Sequence, residues 1–291
     1  MANEIYSKSW WGSGVCDNTV GWGLVYKPYA NCQPESFLLD DYPNIGGNSY
    51  SLRNLTSTTT NVIRVRRSGD NLESDFSATD ITDGTLATFC AVGQDGFVVK
   101  WYDQTGSDDL KNATALEQPK IVESGFVILE NGKPCVSFDG VNDSLFIDLT
   151  DQTREGYQAF MVNKQTDTAS IFAQHSYTLG DNEANSFRWK ASNLILKGKL
   201  DLFTPAATTP QSLYYNNSTQ TGKNSRIFIN GTNVATGAIS ATFVKKVHLG
   251  DNGAGSNNSA IKMQEFILYF SDIKNDVGDI TSNINSYYSI Y

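Results

Sequence analysis

The chain has 291 residues, of which 40% are hydrophobic and 18% charged, and its formal net charge is −9. This acidic balance disfavours nucleic acid or an anionic membrane as the main partner, because a phosphate-binding surface needs clustered Lys and Arg. No apolar run approaches the roughly 18 residues of a membrane-spanning helix. The first residues lack the basic and apolar regions of a secretory signal, so we expect neither membrane insertion nor export.

Residues 1–45 differ from the rest of the chain in composition and periodicity. Trp10, Trp11 and Trp22 stand among glycines, and neither helical nor strand periodicity lasts beyond a few residues. Such a segment cannot build a core of its own, yet three Trp side chains are costly to leave in water. The pattern predicts an irregular aromatic arm, which either packs on its own domain or docks on a partner.

The four cysteines show no CxxC or metal-type spacing. Cys90 and Cys135 stand in apolar surroundings and are predicted to be buried thiols. Cys16 and Cys32 are free to pair, but nothing in the sequence demands a disulfide.

Residues 46–291 are predicted to form one antiparallel body. Residues 49–55 suggest a short helix or turn, residues 61–67 a strand with one solvated face, and residues 85–92 one or two buried helical turns. The segment Gly96-Phe-Val-Val-Lys-Trp-Tyr-Asp-Gln104 is rich in β-branched and aromatic residues and is predicted to be the central core strand.

The second half of the chain is typical of a meander of short strands. Asn131-Gly132 and Asn230-Gly231 are strong hairpin signals between apolar runs. Apolar residues at helical spacing from Val277 to Tyr291 predict a closing helix, with Asp272 or Asn275 as its N-cap. Many short strands separated by turns indicate an all-β sandwich or barrel.

Several ordered motifs resemble known families. They are Tyr50-Ser-Leu-Arg53, Ile63-Arg-Val-Arg-Arg-Ser68, Asp80, Phe97-Val-Val-Lys-Trp-Tyr-Asp-Gln-Thr-Gly106 and Gln118-Pro-Lys-Ile121. Together they resemble the catalytic domain of the arabinofuranosidase B family, and equally concanavalin/LamG-type modules in fibre proteins of tailed bacteriophages. The resemblance covers residues 48–145 well and implies a concanavalin A-like, LamG-like jelly roll. That fold carries both enzymes and adhesive modules, so it does not fix the function.

The resemblance to the hydrolases implies two catalytic carboxylates. A retaining glycosidase needs one as nucleophile and one as acid/base. By resemblance, Glu183 in Gly180-Asp-Asn-Glu-Ala is the nucleophile and Asp251 in Gly250-Asp-Asn the proton donor. The sequence departs from the family at Ala173-Gln-His-Ser, where the family has paired cysteines. The two histidines, His175 and His248, have no Cys or Asp partner at metal-ligand spacing, which disfavours a zinc site or a Ser–His triad.

Sugar binding without catalysis needs exposed aromatics beside polar loops, since apolar sugar faces stack on rings and hydroxyls bind Asn and Asp. Trp189, Tyr177, Tyr214 and Tyr215 are the candidates for such a platform, with core or edge packing as the alternative. The residues Asp139, Asn142 and Asp143 either ligate Ca²⁺ through their side-chain oxygens or form a plain turn. We expect no other cofactor.

These features suggest a virion component of a tailed phage: a head or tail fibre, spike or decoration protein. Its arm (residues 1–45) would dock on other virion proteins, and its sandwich would hold a host-surface glycan for attachment. We expect it to be a homo-oligomer, made in the host cytoplasm. The alternatives are a retaining α-L-arabinofuranosidase-like hydrolase and a structural protein without a ligand.

Overall fold

The structure of the protein is a computed structural model that describes residues 36–106, 108–149, 154–166, 174–179, 186–190, 193–197, 202–203, 210–218, 224–238, 243–251 and 258–291. The strands of the first half are β1 (Asn48–Ser51), β2 (Ile63–Arg67), β3 (Glu73–Phe76), β4 (Gly96–Trp101), β5 (Leu110–Lys111), β6 (Lys120–Glu123), β7 (Phe126–Val127), β8 (Leu129–Glu130), β9 (Lys133–Pro134) and β10 (Val136–Asp139). The strands of the second half are β11 (Leu145–Asp148), β12 (Arg154–Glu155), β13 (Tyr157–Gln165), β14 (Gln174–Thr178), β15 (Ser186–Lys190), β16 (Asn193–Lys197), β17 (Leu202–Phe203), β18 (Ser212–Ser218), β19 (Asn224–Ile229), β20 (Thr232–Ala238), β21 (Phe243–Val244), β22 (Lys246–Leu249) and β23 (Ala260–Tyr269). The helices are α1 (Leu38–Asp41), α2 (Ala78–Thr82), α3 (Thr85–Cys90) and α4 (Val277–Tyr288), with a 3₁₀ turn at Ala115–Glu117.

The strands form two layers joined by antiparallel pairing. The first layer has the order β3-β2-β4-β6-β10-β23-β13-β18-β19-β20. The second layer has the order β5-β11-β22-β14-β15-β16-β17. Pairing of β4 with β5 connects the first layer to the second layer. The predicted all-β antiparallel sandwich with a short C-terminal helix is confirmed.

The main core lies between the two layers. Phe266 of the first layer meets Tyr177 of the second, with ring centroids 5.1 Å apart. Trp101 and Phe138 from the first layer and Leu249 from the second are buried in the same cluster. Full burial of each such side chain is worth about 1.5–3 kcal/mol, so this double-sided packing stabilises the sandwich.

The predicted Asn-Gly turns and the predicted C-terminal helix are both present in the structure. Asn131 and Gly132 have positive φ values of 49° and 72°, and Asn230 and Gly231 have 49° and 74°, as the tight turns between paired strands require. The helix α4 begins after Asp276, which makes no side-chain capping hydrogen bond, so both predicted N-caps were wrong. Within the described residues, no helix is long and apolar enough to cross a bilayer.

The segment around residue 50 is extended and was wrongly expected to be helical or a turn. The strand β1 pairs with β23 in the first layer, and Tyr50 stacks on Phe266 with ring centroids 6.5 Å apart. The tertiary pairing outweighs the local pattern here.

The described cysteines, Cys90 and Cys135, are free and buried, as predicted, and Cys16 and Cys32 lie outside the described residues.

The described residues cover only part of the outer face of the first layer. A second apolar cluster packs α4 and α1 onto β13, β18 and β23, with Ile280 and Ile284 from the helix against Phe160 and Ile267 from the strands. Leu39 donates its backbone N–H to Leu55 O at 2.8 Å, which ties residues 36–45 to the body. Towards β10, β6, β4 and β2 no described helix packs on this outer face, and the candidate site lies there.

Candidate functional site

A row of polar and aromatic side chains crosses the open part of the first layer. Cross-strand partners place Arg66 beside Phe97, Phe97 beside Lys120, and Lys120 beside Ser137. Directly opposed residues project to the same face of a sheet, so the four side chains form one surface. Their inward-facing neighbours on these strands, such as Val65 and Val98, are fully buried.

This surface is the floor of a pocket of about 500 Å³, which we call the outer-face pocket. Its lining consists of Arg66, Asn71, Phe97, Ala115, Leu116, Gln118, Lys120, Glu123, Ser137, Asp139 and Asp143. The half-buried ring of Phe97 and the exposed side chain of Leu116 supply apolar surface among hydrogen-bonding groups. Small-molecule sites commonly combine such an apolar lining with a few placed polar groups.

The guanidinium of Arg66 is held firmly on one side of the pocket. Its Nε donates to Gln118 Oε1 at 2.8 Å, Nη1 to Asn71 Oδ1 at 2.7 Å, and Nη2 to Ala115 O at 3.0 Å. Its Cζ lies 4.7 Å from the centroid of the Phe97 ring, in cation–π range. Burial lowers the pKa of Arg66, and the charge of Glu73 opposes that effect.

Two loops form the rim, and they are bonded to each other. Asn142 Nδ2 donates to Leu116 O at 2.9 Å, and the Ser144 N–H donates to Glu117 O at 3.0 Å. Asn112 Nδ2 also donates to Ser144 O at 3.0 Å. These bonds join the loop after β5 to the loop after β10, so the pocket wall is preorganised.

The predicted calcium residues are part of this rim. Asp139 Oδ1 accepts the backbone N–H of Val141 at 2.7 Å and of Asn142 at 3.2 Å, while Asp143 Oδ2 accepts the Asp139 N–H at 2.8 Å. Burial, together with the neighbouring Asp139 charge, raises the pKa of Asp143 to about 6. Within the described part of the chain, no group of three or more His, Cys, Asp or Glu side chains could hold a metal ion. Calcium binding here stays a prediction.

The tyrosines expected to form a sugar platform lie elsewhere. Tyr177 and Tyr214 are fully buried in the main core, where the Tyr177 hydroxyl donates to Asn216 Oδ1 at 2.7 Å. Tyr215 is buried on the outer face of the first layer and donates to Gln158 Oε1 at 2.6 Å. Trp189 lies on β15, but its side chain is outside the described structure. Tyr177, Tyr214 and Tyr215 therefore pack inside the protein and do not form a sugar platform.

The predicted proton donor, Asp251, lies at the second layer. Its side chain is buried, and its Oδ1 is 3.1 Å from Nδ1 of His248, a partner that spacing alone did not reveal. The His248 ring stacks on Phe146 with centroids 5.0 Å apart. Thr178, which ends β14 and pairs with His248, donates its hydroxyl to Asp251 O at 3.2 Å.

Several predicted functional residues fall outside the described ranges. They are the proposed nucleophile Glu183 and the arm residues Trp10, Trp11 and Trp22.

Sequence reasoning missed the row of Arg66, Phe97 and Lys120. The alternation in Ile63-Arg-Val-Arg-Arg67 correctly predicted a strand, but Arg66, expected on a solvated face, is buried. However, the three residues belong to three different strands, and only the pairing of those strands brings them together.

Comparison with known proteins identifies the fold. No protein-family model and no curated protein matches the chain. Among solved structures, a GH54 α-L-arabinofuranosidase soaked with a cyclic sulfate inhibitor aligns over 81% of this chain and 62% of its own, with 14% identity and a TM-score of 0.61. An arabinofuranosidase complexed with arabinofuranosyl-alpha-1,2-xylobiose aligns over 81% and 61%, with 15% identity and a TM-score of 0.59. The chain thus spans about three fifths of these relatives and shares their β-sandwich fold.

Proposed function

We propose that this protein is a carbohydrate-binding module and that the outer-face pocket is its ligand site. The observation that carries the proposal is the half-buried Phe97 ring, set among side chains that donate and accept hydrogen bonds on the open face of the sandwich. Sugars present both apolar C–H faces and hydroxyl groups, and this lining serves both.

The polar groups of the pocket match the needs of sugar hydroxyls. Lys120 and Arg66 donate, while the carboxylates of Asp139 and Asp143 accept. Lys120 is oriented by Asp95, whose Oδ2 lies 2.9 Å from its Nζ. Because the rim loops are bonded to each other, little conformational entropy would be lost on binding.

An array of immobilised neutral and acidic oligosaccharides tests the proposal. Wild type is expected to bind at least one class, and Phe97→Ala to lose that binding. Phe126→Ala is the matched control, because Phe126 is an exposed phenylalanine on β7 outside the pocket. Equal glycan binding by wild type and Phe97→Ala would refute the assignment of the pocket.

A retaining arabinofuranoside hydrolase is the second candidate, favoured by the buried Asp251 beside His248. A retaining glycosidase uses one carboxyl group to protonate the glycosidic oxygen. The test is turnover of a chromogenic arabinofuranoside, with Asp251→Asn and Glu183→Gln as the variants. Turnover that both substitutions abolish would establish the hydrolase.

The wider role that we propose is attachment of a phage particle, as a fibre, spike or decoration protein. It rests on the motif resemblance and on the aromatic composition of residues 1–45. Sedimentation of the full chain and of residues 36–291, which keep the packed helix α1, tests the docking arm. The idea fails if both are monomers and the full chain associates with no other virion protein.

A further inference from the structure

We infer that the ligand of the outer-face pocket is an acidic sugar, a uronic or sialic acid unit, whose carboxylate is bound by Arg66. The inference rests on the proposed function and names the class of its ligand. It starts from a charge that the protein itself leaves without a counter-ion in contact.

Arg66 differs from the arginines on either side of it. Arg64 pairs with Asp75 at 2.6 Å, and Arg67 pairs with Asp70 at 2.7 Å. Arg66 is only 9% exposed, and its three hydrogen bonds all go to neutral acceptors. In the described part of the chain, no carboxylate lies within 4 Å of its guanidinium, although a buried charge is costly without a partner.

The geometry of Arg66 suits a carboxylate. A guanidinium carries five N–H donors, of which three are used by the protein, and it lines the pocket. The planar fork of N–H groups binds both oxygens of a carboxylate side by side. Gln118, Asn71 and Phe97 already hold the group in place, so it needs little reorganisation to receive an anion.

Of the acidic residues that line the pocket, Asp139 and Asp143 lie at and after the end of β10, whereas Glu123 ends β6 and pairs with Lys120 at 3.5 Å. Arg66 is on β2 and Asp139 ends β10, with β4 and β6 between them. At about 4.8 Å per strand, three steps separate the two positions by about 14 Å. The pocket therefore has the Arg66 guanidinium at one end, the Lys120–Glu123 pair between, and the acceptors Asp139 and Asp143 towards the other end. A sugar with a carboxylate at one end and hydroxyls at the other matches this polarity.

The experiment is the same glycan array, printed with matched pairs: sialylated and uronate-containing oligosaccharides beside their desialylated or carboxyl-reduced counterparts. The glycans that wild type binds and Phe97→Ala loses are expected to be the carboxylated members. Solution titration should show a preference of about 10- to 100-fold over the neutral counterpart, the range of charge-assisted hydrogen bonds. Arg66→Gln should remove this preference, and Arg64→Gln, which removes an arginine outside the pocket, should retain it.

The outcomes separate the two proposals. If the glycans that depend on Phe97 bind equally well without their carboxylate, the inference is overturned and the carbohydrate-binding function stands. If no glycan depends on Phe97, both fail. Arg66 also anchors the rim. If Arg66→Gln does not fold for that reason, the ratio of the wild-type affinities for the carboxylated and the neutral member of each pair still tests the inference.

Discussion

Replacing Asp143 by Asn should change how stability depends on pH. Burial raises the pKa of this carboxyl from 3.8 to about 6. The folded state therefore holds the proton more tightly than the unfolded state does. The stabilisation is complete below pH 3.8 and is lost as the pH rises through about 6. A rise in pKa of this size corresponds to about 3 kcal/mol, which wild type loses through this group between pH 4 and pH 7.

Asparagine keeps the shape of the side chain and can accept the Asp139 N–H, but it carries no charge. Urea unfolding at pH 4, 5, 6 and 7 should give similar free energies of unfolding for both proteins at pH 4. At pH 7, Asp143→Asn should be the more stable by up to about 3 kcal/mol. The variant Asp148→Asn controls for loss of an exposed aspartate. A difference between wild type and Asp143→Asn that stays constant over this range would refute the reasoning.

Four further predictions concern the framework of the site. Glu265→Gln removes the negative charge beside the guanidinium of Arg53, whose Nε lies 2.8 Å from Glu265 Oε2, and chemical denaturation should show a loss of about 3–5 kcal/mol. In Gly250→Ala the new Cβ would collide with the ring of Phe138, so its melting temperature should fall well below that of Gly132→Ala, where nothing lies within 4 Å. Both described cysteines are buried and burial raises their pKa, so site-resolved thiol labelling should detect them only after unfolding; labelling in the native protein would contradict this burial. If residues 139–143 bind calcium, a chelator should lower the melting temperature, and an unchanged value would refute the prediction.

The architecture was readable from sequence wherever local chemistry determines the backbone. The Asn-Gly turns require positive φ, and Ile280 and Ile284 sit at helical spacing against the sheet. Residues 49–51 were misread because β1 becomes a strand through its pairing with β23, more than 200 residues away in the chain. No local pattern carries that information.

The candidate site was largely hidden for the same reason. Tyr177 and Tyr214 stand near polar residues in the sequence, yet both point into the core, because strand direction and not neighbouring polarity decides which face a ring occupies. Phe97 was recognised as part of the central strand, but its outward position beside Arg66 and Lys120 depends on the order of three strands. Among the residues expected to ligate calcium, Asp139 and Asp143 do line the pocket.

The most direct test of the central claim is amide hydrogen exchange of the full chain, with and without the tightest-binding glycan from the array. If the outer-face pocket is the ligand site, binding should slow exchange in β4, β6 and the rim loops around Leu116 and Asn142. Slower exchange in β14 and β22 beside Asp251, with the pocket segments unchanged, would contradict the claim and point to the second layer instead.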